Sequence, residues 1–82
     1  MRIEVLDWMI ERLEIVMFLF NERLFKNAIQ DCVRICLVAK TMIDKVLFFR
    51  SHLILGALYL DLDMFSESRV VFDLVKDVTE EC

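Results

Sequence analysis

Eighty-two residues allow one domain at most, and a chain this short has only a small interior to fill. Hydrophobic residues make up 59% of it, against a norm of roughly 45–50%, so some apolar side chains must face a neighbour rather than the core. The net charge is −4 and the ten basic residues are scattered without aromatic interleaving, which leaves no footprint for nucleic acid.

Proline is absent and glycine occurs once, at Gly56, so long helices with short joints are expected throughout. The three cysteines, an odd number with no secretory signal before them, suit reduced thiols in the cytoplasm or another reducing internal compartment. The longest uncharged runs, Ile15–Phe20 and Ser51–Leu60, fall well short of the roughly 20 residues a spanning helix needs. A small membrane-associated helical protein is kept as the alternative, because the hydrophobicity alone would suit it.

The first helix is expected from residue 2 to about 20. Ile3, Leu6, Ile10, Leu13, Met17 and Phe20 recur at spacings of three and four, an apolar seam at helical period. Glu4, Asp7, Glu11 and Glu14 make an acidic stripe on another face, near the end where the helix dipole favours anions. The alternative role for that stripe is docking of a basic partner. Val5, Trp8, Ile15, Val16 and Leu19 lie off the seam, so this helix should touch two neighbours. Asn21 is the expected helix stop, as a residue that tolerates left-handed backbone.

The second helix is expected over about 25–39, with Phe25, Ala28, Ile29, Cys32, Ile35, Cys36 and Ala39 on one stripe. Its small members let a second helix come close. Thr41, with Asp44 three residues on, reads as the start of a third helix over about 42–62. Gly56 inside that helix costs about 1 kcal/mol relative to alanine. A partner helix passing too close for a Cβ would offset it. Ser66 is the expected cap of the fourth helix, whose seam is Val70, Val71, Leu74, Val75 and Val78. The helix pairs therefore span about 2–39 and 42–81 of a single all-α domain or array fragment.

Leu55, Gly56 and Tyr59 form a Leu-Gly-x-x-Tyr element. Ser68 follows in a small-residue position, with Phe65 three before it and Phe72 four after it. This pattern resembles the tetratricopeptide repeat. A looser second copy lies upstream, where Phe25 and Ala28 correspond to Phe65 and Ser68 at a 40-residue offset. His52 stands where the family has tryptophan, and Glu80 where it has proline. In the first copy Val16 replaces the glycine. The resemblance covers about 9–82. It implies antiparallel helix hairpins stacked as a right-handed superhelix segment, with a four-helix bundle as the alternative packing. It also implies that Leu55, Gly56, Tyr59, Phe65, Ser68, Phe72, Phe25 and Ala28 are repeat-packing positions.

About three such repeats are usually needed for stability, so two with excess apolar surface read as a scaffold segment or an adaptor completed by its partner. Some family members clamp a peptide carboxylate with polar residues. The corresponding positions here include Leu13, Met17, Leu53, Ile54 and Ala57, which are apolar. The resemblance therefore implies an apolar guest, with Leu13, Met17, Arg50 and Ala57 as partner-facing positions and Met9, Met17, Met42 and Met64 adaptable around it.

Catalytic and cofactor chemistry is not expected. No glycine-rich phosphate loop or nucleophile elbow occurs, and acids such as Glu11 and Glu14 lie along an open helix. His52 reads as a packed histidine beside Leu53 and Ile54. Cys32, Cys36, His52 and Cys82 do not make the two close-set pairs that a zinc site requires. No metal, cofactor or small-molecule substrate is expected. The expected partners are proteins: further repeats, or another subunit.

Overall fold

The computed structural model describes residues 3–41 and 45–80, with side chains from residue 7 onward. Four helices occupy them: α1, Ile3–Asn21; α2, Phe25–Lys40; α3, Lys45–Asp61; and α4, Phe65–Glu80. The architecture is all-α. The main interfaces join successive helices, α1 with α2, α2 with α3, and α3 with α4. The result is a slab of 32 × 29 × 13 Å, at most two helices deep given axial spacings of about 8–10 Å.

The two joints are built alike. After α1, the Arg23 amide bonds the Phe20 carbonyl at 3.0 Å and the Leu24 amide bonds the Leu19 carbonyl at 2.9 Å. After α3, the Asp63 amide bonds Leu60 at 3.0 Å and the Met64 amide bonds Tyr59 at 2.8 Å. This pair of crossed bonds is the Schellman stop, and it requires left-handed backbone at the residue between them. Arg23 (φ 62°) and Asp63 (φ 58°) supply it. Every bond of the first joint has its counterpart in the second forty residues on, the second adding only Leu62 amide to Tyr59 carbonyl at 3.2 Å, and α2 and α4 have the same length of 16 residues.

Several expected boundaries move. The left-handed residue is Arg23, not Asn21, which closes α1 as its last helical residue. Thr41 closes α2, its hydroxyl donating to the Val38 carbonyl at 2.7 Å. Met42, Ile43 and Asp44, between it and Lys45, where α3 is expected to start, lie outside the described residues, as do Glu81 and Cys82. α4 begins at Phe65, so Ser66 sits within its first turn.

The core runs through all four helices: Met9, Leu13 and Val16 from α1, then Ala28, Cys32, Ile35, Cys36 and Ala39 from α2. Leu47, Phe48, Leu55 and Leu58 come from α3 and Val71 from α4. The α2 stripe is the expected one. On α1 the buried line is rotated from the expected seam: Met9 and Val16 are fully enclosed, while Ile10 and Met17 are exposed. The packing of α2 against α1 selects the first face, and the expected seam turns toward α3. On α4, Val70 is exposed and Ser68 takes an interior place. Among the described residues, no helix is long and apolar enough to cross a membrane.

Candidate functional site

Between α1 and α3 runs an open cleft. One part, about 270 Å³, is lined by Ile10, Leu13, Glu14, Met17, Arg50 and Ile54. The adjoining part, about 170 Å³, is lined by Met17, Phe20, Ile54, Ala57, Leu58 and Asp61. Met17 and Ile54 are common to both, which makes the cleft continuous. The four positions expected to face a partner all fall here: Leu13, Met17 and Arg50 in the first part, Met17 again and Ala57 in the second. Leu13 is buried, whereas Met17, Arg50 and Ala57 are exposed. The lining is mainly aliphatic, with Glu14 and Arg50 at one part and Asp61 at the other. Such a surface can hold an apolar segment and offers charge only at its margins.

Helical period explains the placement. Leu13 and Met17 are four apart on α1, and Arg50, Ile54 and Ala57 step by four and three along one face of α3. Of the expected apolar seam on α1, Leu13 is both core and cleft floor, while Met17 is exposed in the cleft. Ile10, Glu14, Phe20, Ile54, Leu58 and Asp61 also line the cleft, although the sequence did not mark them as partner-facing.

Of the positions that the resemblance implies for repeat packing, Gly56, Ser68 and Phe72 meet elsewhere, at the α3–α4 crossing. The Ser68 hydroxyl donates to the Gly56 carbonyl at 3.0 Å. A Cβ on Gly56 would stand 2.6 Å from two ring carbons of Phe72. Leu55 is buried and Tyr59 packs partly buried against the core. In the first pair, Ala28 is fully buried and Phe25 meets Phe20 edge-on, with centroids 5.5 Å apart. Phe65 is exposed and lies outside this packing.

A third cluster lies in the α2–α3 interface. His52 is buried, stacked on Phe48 with centroids 4.0 Å apart, and its Nδ1 is 2.7 Å from the Phe48 carbonyl. A carbonyl only accepts, so Nδ1 carries the hydrogen. The Ser51 hydroxyl donates to the same carbonyl at 3.1 Å, and Cys32 Sγ donates to the Ser51 carbonyl at 3.5 Å. Hydrogen bonding from Cys32 pulls the Cys36 thiol below its ordinary range; burial opposes this, while His52 and Ser51 reinforce it. The same bond to Cys36, with burial, pushes Cys32 up, so Cys36 is the acidic member of the pair. For His52, burial disfavours the cation, but the bonds to Cys36 and Phe48 outweigh it and raise its pKa. Both thiols are enclosed, so the cluster is a packed polar knot without an approach for substrate. Among the described residues, no group of His, Cys, Asp or Glu is arranged to hold a metal ion.

No protein-family model, curated protein or solved structure matches the chain.

Proposed function

We propose that this chain is a protein–protein interaction segment resembling tetratricopeptide repeats, with two stacked helix hairpins and no catalytic role. In this reading the α1–α3 cleft receives an apolar helix or extended segment of a protein partner in a reducing internal compartment. The observation that carries it is the continuity of the cleft across Met17 and Ile54, with Leu13 and Ala57 in its lining. The matching joints after α1 and α3 support a repeated hairpin as the building unit. The sequential packing of the helices supports stacking rather than closure into a bundle.

The test is a photo-crosslinking residue at Met17, compared with one at Arg69 on the far helix, in cells expressing the full chain. Crosslinks to a protein partner are expected from position 17 alone and should disappear with Ala57→Glu. That position is exposed, where substitutions usually shift stability by less than about 0.5 kcal/mol. Equal crosslinking from both positions, or a partner retained in the Ala57→Glu variant, would overturn the assignment.

A further inference from the structure

The 40-residue correspondence of the two hairpins places α1 and α3 in register. Phe48, Leu55 and Leu58 of α3 correspond to Trp8, Ile15 and Phe18 of α1. The α3 residues are 8%, 6% and 4% exposed, whereas their α1 counterparts are 37%, 39% and 60% exposed. α2 packs along this part of α3, where Cys32 donates to the Ser51 carbonyl at 3.5 Å, while Leu58 also lines the cleft against Met17 and Phe20. On the equivalent stretch of α1, Trp8 borders Arg12 and the edge of α2 at Asp31, Arg34 and Ile35, while Ile15 and Phe18 are exposed among the described residues.

Two features of the fold define what would fit there. First, α2 buries Cys32, Cys36 and Ala39, small side chains that leave room for aromatic and leucine partners. Second, Asp7, Glu11 and Glu22 are exposed on α1 and its joint. Arg12 is held over the Trp8 ring, 5.9 Å from its centroid. A head-to-tail copy of this chain would offer α4, where Phe72, Lys76 and Thr79 replace Cys32, Cys36 and Ala39. Asp73 and Glu80 pair with Arg69 and Lys76, but with Glu67 and Asp77 exposed as well, α4 still carries net negative charge. Two α1 faces would set acid against acid. We propose that the Trp8–Ile15–Phe18 face docks one helix of a different protein, an amphipathic helix with a stripe of small residues flanked by lysine and arginine. The site is separate from the α1–α3 cleft and does not depend on its use.

Trp8 is the single tryptophan of the chain and reports directly on this face. The probe is a synthetic peptide copying residues 24–41 with Cys32→Ala, Cys36→Ala and Asp31→Lys. Its control carries glutamate at all four charged positions. Titrated into the full chain, the cationic peptide should shift Trp8 emission saturably to shorter wavelength. Binding should weaken about tenfold or more between low and high salt. Ile15→Glu should weaken it at least about tenfold, and Ala57→Glu should leave it unchanged. Circular dichroism establishes that each variant is folded. No shift, equal binding of the anionic control, or binding that survives Ile15→Glu would overturn the proposal. So would a shift that grows with protein concentration alone, since a second copy would then occupy the face.

Discussion

The Ser68 hydroxyl is hydrogen-bonded to the carbonyl oxygen of Gly56 at 3.0 Å, twelve residues back and on the facing helix. Phe72, one turn beyond Ser68, lays its ring against the same glycine. Together they fix the closest crossing in the molecule's second hairpin.

Gly56→Ala should destabilise the protein, against the helix-propensity gain of about 1 kcal/mol. The new methyl would stand 2.6 Å from Phe72 ring carbons, and overpacking of this kind costs about 1–3 kcal/mol. In a Phe72→Ala background the same change should become stabilising by about 1 kcal/mol, because only propensity remains. Urea unfolding of the four members of the cycle measures the sign reversal. A penalty that persists without Phe72 would refute the packing account.

Ser68→Ala should cost about 1 kcal/mol, the usual net worth of one buried hydrogen bond. Ser68→Leu should cost more, since the position is fully enclosed between the helices. Thermal unfolding resolves the first change, as 1 kcal/mol moves the midpoint by about 4–8 °C in a domain of this size.

The joints make a different prediction. Arg23 occupies left-handed backbone at φ 62°, a region that costs a side-chain-bearing residue about 1–2 kcal/mol. Arg23→Gly should therefore stabilise the chain by about 1 kcal/mol. Asp63→Gly, at φ 58°, should give less, because aspartate tolerates this region better. Denaturant midpoints would decide, and a loss of stability at Arg23→Gly would show that its side chain matters more than its backbone.

The Cys36–His52 pair should make stability pH-dependent in a defined sense. A thiol lowered on folding adds stability that is complete above its ordinary value of 9.0 and disappears as pH falls through the folded value. An imidazole raised on folding adds stability that is complete below 6.5 and is lost as pH rises through the folded value. The excess stability of the parent over Cys36→Ala should shrink on acidification below 6.5. Unfolding across a pH series checks this, and a constant difference would mean that Cys36 is a neutral thiol throughout.

Much of this was legible because local pattern and packing agreed. The α2 stripe is readable because Lys26, Asn27, Gln30 and Arg34 mark the opposite face as polar. Gly56 is readable because a lone glycine in a helix needs a reason. On α1 the pattern fails, since apolar residues surround the helix and period alone cannot say which line is core. Only contact with α2 selects Met9 and Val16 over Ile10 and Met17. The Arg23 turn has no residue signal, because the crossed backbone bonds impose its conformation. The Cys36–His52 pairing depends on two helices facing each other and carries no spacing motif.

The train of successive interfaces has a mechanical consequence. α1 and α4 are each secured chiefly by one neighbour, whereas α2 and α3 are each gripped from two sides. Opening therefore proceeds by peeling from the ends, with graded rather than uniform protection of the backbone amides. A terminal helix that lifts away exposes a ready cradle. Another molecule could fill it with its own copy, so exchange of α1 or α4 between chains is the failure mode this architecture invites at high concentration.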